Sequence, residues 1–557
     1  MNADKPEPAT LRAPVWLRNM VFVGLVFLVA AAAAGRWLEP QKEPQHWEQV
    51  RPPAWQQDEA FQQALARLNQ ALHRRWQQAG VQPAPEAPLL LKARRVSLAL
   101  CGTVPSLEEI RRLENYQGPE PLAWWTQGLL EDARCHDYLA ERLARALVGV
   151  EQGPFILYRR GRFVDYLAEQ LAQDRPWDQV VREMLTSRGL WTNQPQTNFI
   201  TVTLDDNDEE RPDPVSLAAR TARGLLGVRM DCAECHDHPF DRWTQEEFHQ
   251  LAAFFAPVEV RFFGVRDGER HYYWKPLGAE KEQRAYPRVP FAAELLPKQG
   301  IPRRRLAAWV THPENRAFAR AVVNRLWAVM FGRPLVEPVD NIPLEGPVPE
   351  ELDLLAEEFV RSGFRLRYLI HLIAASDAFA RDSLEPAGAD RRQVERAVEH
   401  WAVFPLVLLR PEQMARSILQ ATSPTTIDHQ SHVLVRLVRW FGERDFVQRY
   451  GELGEEEFGP RGATIPQRLL LLNGQLITQR TRPDPPLGIP SQVAQFAPSD
   501  EAAVEAAFLA VLTRRPAPEE LRFFSAWLRG TRGAARQQAL EDLYAVLLNS
   551  TEFCWNH

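Results

Sequence analysis

The chain has 557 residues, of which 45% are hydrophobic and 25% charged, a globular composition that excludes wholesale disorder. It is too long for a single hydrophobic core, so two or more domains are expected. The formal net charge is only −6, and arginines are interleaved with Asp and Glu rather than gathered in a stripe, which argues against a nucleic-acid partner.

From the N-terminus, Met20 to Gly35 carries no charge and is flanked by Arg12, Arg18 and Arg36. Sixteen helical residues reach about 24 Å, short of a bilayer core of roughly 30 Å. Flanking Val15–Leu17 and snorkelling arginines can extend the span. The alternative is a signal peptide, with Ala32 and Ala34 as an A-x-A-like cleavage pattern. Residues 1–38 are therefore expected to be a signal anchor or transmembrane helix. That puts the body in the periplasm, or outside the cell if the segment is removed.

Residues 39–88 read as a tether and linker helix, with a Pro/Gln/Glu-rich start, a helix from about Asp58 to Ala79 and a second linker from Val81 to Pro88. Pro105-Ser106 opens a helix whose first turn carries Glu108 and Glu109, where the macrodipole favours them. Thr203 to Asp213 is the densest acidic stretch and reads as a solvated loop. Asp213 is placed to N-cap a helix with Pro214 at its first position and Val215, Ala218, Ala222 and Leu225 on one face. Pro239 should end the turn carrying the cysteines near Asp237. A capping box, Thr244 to Glu247, then starts a helix with Phe248, Leu251, Ala252 and Phe255 on one face.

Residues 258–300 change character. Val258–Phe263 and His271–Trp274 flank Asp267-Gly268, so a small β ribbon turning there is expected. Beyond it Phe318, Val322, Leu326 and Val329 share a helical face that Gly332 stops. Leu352, Leu355, Ala356 and Phe359 form another, stopped by Gly363. The fold class expected is mainly α: a multi-helix two-domain ectodomain (89–257 and 301–557) with a β-rich connector at 258–300, preceded by one N-terminal helix.

The concentrated chemistry is Cys232-Ala233-Glu234-Cys235-His236. Covalent haem attachment needs two thiols one helical turn apart, one for each vinyl group, and an imidazole beside the second thiol to reach the iron. Cys232 and Cys235 would be the attachment sites and His236 the axial ligand of a haem c. A redox pair or disulfide, a single metal ion such as zinc held with His236 or His238, and a buried structural turn are the other readings. Five cysteines are too few for a disulfide scaffold, and only this pair is close in sequence. Asp237, His238 and Asp241 follow, able to orient a ligand, bond a propionate, bind a second metal or shuttle protons. A sixth ligand would come from elsewhere, for instance Met184, Met230, His249 or His271. No other catalytic motif stands out, and whether the chain is an enzyme is left open.

The run CAECHDHPFDRWTQEEFHQLAAFF at Cys232–Phe255 resembles the signature of planctomycete-type secreted cytochrome-like proteins built from two paired domains of unknown function. Arg94-Arg95-Val96-Ser97-Leu98 through Pro105 is similar to the opening of the first domain. Leu306–Val310, Val323–Trp327, Phe331-Gly332-Arg333, Thr464–Gln467, Leu472-Asn473-Gly474 and Asn549–Phe553 are similar to the second. The resemblance implies export and a cytochrome-like character, with the activity unassigned. Many such proteins carry a separate N-terminal cytochrome c module, which this chain lacks. The function expected is a membrane-anchored, extracytoplasmic c-type haem (or other metal) redox protein of the bacterial cell envelope, with envelope redox partners. The alternative is a non-catalytic envelope scaffold or polysaccharide-associated protein in which the motif is a disulfide or structural metal site.

Overall fold

The computed structural model describes residues 46–150, 160–205, 208–384, 390–423 and 489–557, with isolated positions between 425 and 458. The expected N-terminal anchor lies outside the described residues. Among the described residues no helix is long and apolar enough to cross a membrane.

The fold is mainly helical, with four two-stranded antiparallel ribbons among the described residues. Local signals account for many helix ends. Glu59–Ala79 begins after Asp58 and ends at Gly80, whose φ of 63° supplies a left-handed cap. Ser106 and Glu109 close a capping box on Leu107–Asn115. Arg316–Phe331 stops at Gly332, with φ 76°. Glu350–Arg361 ends just before Gly363, with φ 72°.

Two apolar cores organise these helices. The larger runs from Trp47 to Phe404 and includes helices on both sides of the 258–300 segment. The smaller gathers Leu408 to Cys554, together with Leu98 and Val104. The Leu89–Cys101 helix serves both, sending Val96, Ala99 and Leu100 into the first and Leu98 into the second.

Two stretches expected to be linkers are built into the body instead. The Glu59–Ala79 helix buries Phe61, Leu68, Leu72 and Trp76, and Arg75 forks onto Glu351 at 2.8 and 2.9 Å. In the following segment Ala84 N–H donates to Ala402 O at 2.7 Å and Ala87 N–H to Ala380 O at 2.8 Å. These amides find partners on a distant part of the chain, so the segment is laid down as structure rather than left solvated.

The β-rich connector also differs from expectation. Val258–Arg261 pairs with Gly264–Asp267, so the chain turns at Phe262-Phe263 and not at Asp267-Gly268. Gly264 has φ 103°, and a Cβ there would lie 2.1 Å from the Gly189 backbone. The turn is thus placed by docking on Gly189, whose N–H and C=O both bond Val265 at 2.9 Å. Tyr272–Trp274 forms a separate ribbon with Gln283–Ala285. In the acidic stretch expected as a loop, Leu204–Asp205 pairs with Asp208–Pro212.

Candidate functional site

The approach to the motif follows its local signals. Asp213 caps the Pro214–Arg220 helix, accepting from Val215 N–H at 3.0 Å and Ser216 N–H at 3.1 Å. A π-helical turn, Thr221–Leu225, follows and brings the chain to Met230. The cysteines then sit on a short 3-10 helix, Asp231–Glu234, with Cys235 as its C-cap. The turn ends three residues before Asp237, where the sequence placed its end. In a 3-10 turn residues three apart eclipse one another, which suits Cys232 and Cys235 to one side.

Ala233 alone of the five motif residues is buried, and its N–H donates to Met230 O at 2.8 Å. It plugs the turn into the core while Cys232, Cys235 and His236 are exposed. Both thiols are free. His236 Nδ1 lies 2.7 Å from the carbonyl oxygen of Asp237. A carbonyl can only accept, so Nδ1 carries a proton, and in the neutral ring Nε2 presents its lone pair.

The residues expected around this group have defined roles. Asp237 Oδ1 accepts from Gln245 N–H at 2.8 Å, which joins the motif to the next helix. His238 Nδ1 accepts from Phe240 N–H at 3.2 Å, so its Nε2 bears the proton when the ring is neutral. The two histidines therefore hold opposite tautomers. Asp241 Oδ1 accepts from Arg242 N–H at 2.7 Å, a local turn contact. Phe240 is 94% exposed beside them. Among the described residues no group of three or more His, Cys, Asp or Glu side chains is arranged to hold a metal ion.

Three of the four sixth-ligand candidates are occupied elsewhere. Met184 and Met230 are packed in the core. His249 Nε2 lies 3.0 Å from Glu234 O and its Nδ1 2.9 Å from Tyr272 Oη, so both nitrogens are used. Burial also lowers the pKa of His249, so its ring is neutral. His271 Nδ1 accepts from Arg284 at 2.9 Å, which leaves the proton on its Nε2.

Sequence reasoning missed the supports of the motif. Arg223 and Arg229 brace Asp340 at 3.0 and 2.8 Å, and Arg223 also faces Asp231 at 3.8 Å. Ile342 N–H donates to Gly227 O at 2.7 Å. Desolvation, with Asp213 and Asp231 nearby, raises the pKa of Glu234. It also missed a disulfide between Cys101 and Cys135, 34 residues apart. These cysteines terminate and begin different helices, and no spacing rule joins them.

Residues 67–260 match the family described as PSCyt2, protein of unknown function (DUF1549). Residues 302–434 match PSD1, protein of unknown function (DUF1553). No curated protein and no solved structure matches the chain. The motif falls inside the first region, and the Asp340 brace reaches it from the second. The chain thus carries the paired DUF1549 and DUF1553 domains, the pairing typical of planctomycete-type proteins.

Proposed function

We propose that this chain is an extracytoplasmic c-type haem redox protein of the cell envelope, held at the membrane by the segment Met20–Gly35. Cys232 and Cys235 would form the thioether links and His236 Nε2 would be the axial ligand. The observation that carries the reading is the state of His236. Its Nδ1–H is committed to a backbone carbonyl, the arrangement that leaves the other nitrogen ready to bind a metal. Two accessible, unbridged thiols stand beside it. When bound, the haem would supply a one-electron couple, with a potential tuned by the ligand and its surroundings.

The chain's own residues set that environment. His238 presents an N–H from the following turn, suited to bond a propionate or a small ligand on the iron. Met184 and Met230 are packed in the core and both nitrogens of His249 are bonded, so of the four named candidates the exposed His271 is the one that could still serve as a further ligand. The Cys101–Cys135 bond supports an oxidising compartment, where such bonds persist.

The test is expression of the full chain with a cytochrome c maturation system. The expected product gains the mass of one haem and shows a Soret band that survives acid–acetone extraction. Cys232→Ala or Cys235→Ala should weaken or abolish the attachment without unfolding the protein, because both side chains are exposed. A folded, exported protein without haem would overturn the reading. A Cys232–Cys235 disulfide or a chelatable metal would then favour the scaffold alternative.

A further inference from the structure

The motif turn is held from one side by two buried side chains of the Gln245–Ala252 helix, Gln245 and His249. Gln245 Nε2 donates to Glu234 O and to Cys235 O, both at 3.1 Å. Its Oε1 accepts from Leu277 N–H at 3.0 Å, and its own N–H reaches Asp237 Oδ1 at 2.8 Å. His249 Nε2–H donates to Glu234 O at 3.0 Å, a carbonyl that can only accept. The same ring then accepts from Tyr272 Oη at 2.9 Å through Nδ1 and stacks on Trp274 with centroids 4.4 Å apart.

A turn that exposes Cys232, Cys235 and His236 has little apolar surface of its own to hold it. Ala233 is its one buried side chain. The carbonyls of Glu234 and Cys235 emerge at the C-terminal end of a 3-10 helix, where no further turn satisfies them. Gln245 and His249 supply the missing donors. In doing so they fix the peptide between Cys235 and His236, and with it the directions of the second thiol and the imidazole.

We propose that Gln245 and His249 are positioning residues for the Cys232–His236 group, and that they couple its geometry to the Tyr272–Trp274 ribbon. The proposal rests on the redox reading for its importance but not for its test. The site is preformed: its orientation is set by the protein before any group attaches. Tyr272 is the outer end of the chain Tyr272–His249–Glu234, and Leu277 the outer end of the chain through Gln245.

The test uses the full chain without haem first. Gln245→Glu keeps the size of the side chain and removes both donated bonds. It should accelerate hydrogen exchange at the bonded amides of Ala233 and His238 by about tenfold and change the alkylation rates of Cys232 and Cys235. Peptides around Cys101 and Cys135 should be unchanged. Tyr272→Phe, which keeps the ring, should give the same effect at smaller size through His249. In protein that carries haem, both variants should shift the ligand band and the midpoint potential at unchanged haem content. Wild-type exchange and alkylation in both variants would overturn the proposal. If Gln245→Glu does not fold, the Tyr272→Phe comparison decides it alone. A wild-type chain that takes up no haem would defeat the redox reading and leave the apo-protein result intact.

Discussion

At the scale of single residues, the buried charges are the most exacting feature. Arg134 is 3% exposed and is held by Asp132 and Glu109 at 2.6 and 2.5 Å. Glu109 also accepts from Ser106 N–H at 2.8 Å, so one carboxylate both closes a helix cap and neutralises a core cation. Removing the shared cation leaves two buried carboxylates, Asp132 and Glu109, without their counter-charge. Arg134→Met should therefore cost about 3–5 kcal/mol in urea denaturation. Breaking an exposed pair such as Arg391–Glu395 should leave the midpoint almost unchanged, because water screens both charges.

Also at this scale, His371 makes stability depend on pH. Burial, aided by the Arg367 charge, pulls its pKa down to about 3. Gln56 Nε2 donates to its Nδ1 at 2.7 Å, and its Nε2–H donates to Gln127 Oε1 at 3.1 Å, so the ring is held neutral. In the unfolded chain its pKa returns to about 6.5, so between about pH 6.5 and 3 the unfolded state binds a proton that the folded state does not. Stability should fall as pH is lowered through that window, by up to about 4–5 kcal/mol if the full shift is expressed. His371→Gln should flatten that part of a melting-temperature-against-pH profile; an unchanged slope would show that other groups set it.

At the scale of elements, the Cys101–Cys135 bond ties the end of the Leu89–Cys101 helix to the start of Ala133–Val148. Closing a loop of that length restricts the unfolded chain by about 3–4 kcal/mol on the entropic account. Cys135→Ser should lower the denaturation midpoint accordingly, and a reductant should do the same to the wild type only. Helix starts are the elements most legible in the sequence. Asp213 before Pro214 and Thr244 with Glu247 are satisfied within a few residues, so they need nothing distant to form. The ribbon turn was misplaced for the opposite reason. Asp267-Gly268 is a good local turn signal, but Gly264 must lie against Gly189, and that contact overrides it.

At the scale of the whole molecule, the Leu89–Cys101 helix joins the two cores. Arg94 donates to Val511 O at 3.1 Å and Phe553 O at 3.3 Å, while Arg95 donates to Phe379 O at 3.0 Å. Adjacent arginines thus satisfy carbonyls of elements that belong to the two different cores. Burial lowers both pKa values, to about 10 and about 9, and both side chains still keep their charge at neutral pH.

The sequence determined the helical class, the caps and the place of the Cys232–His236 group, because each depends on residues within a turn or two of one another. Tertiary structure decided what surrounds that group. Gln245 and His249 reach it from a following helix, Tyr272 from a ribbon strand and Leu277 from the loop after it, and Asp340 through arginines from the second matched region. Cys101 finds Cys135, and Met184 and Met230 are drawn into the core away from any ligand role. These outcomes depend on which distant surfaces meet and which buried polar atoms must then be satisfied, and periodicity and spacing carry no record of either.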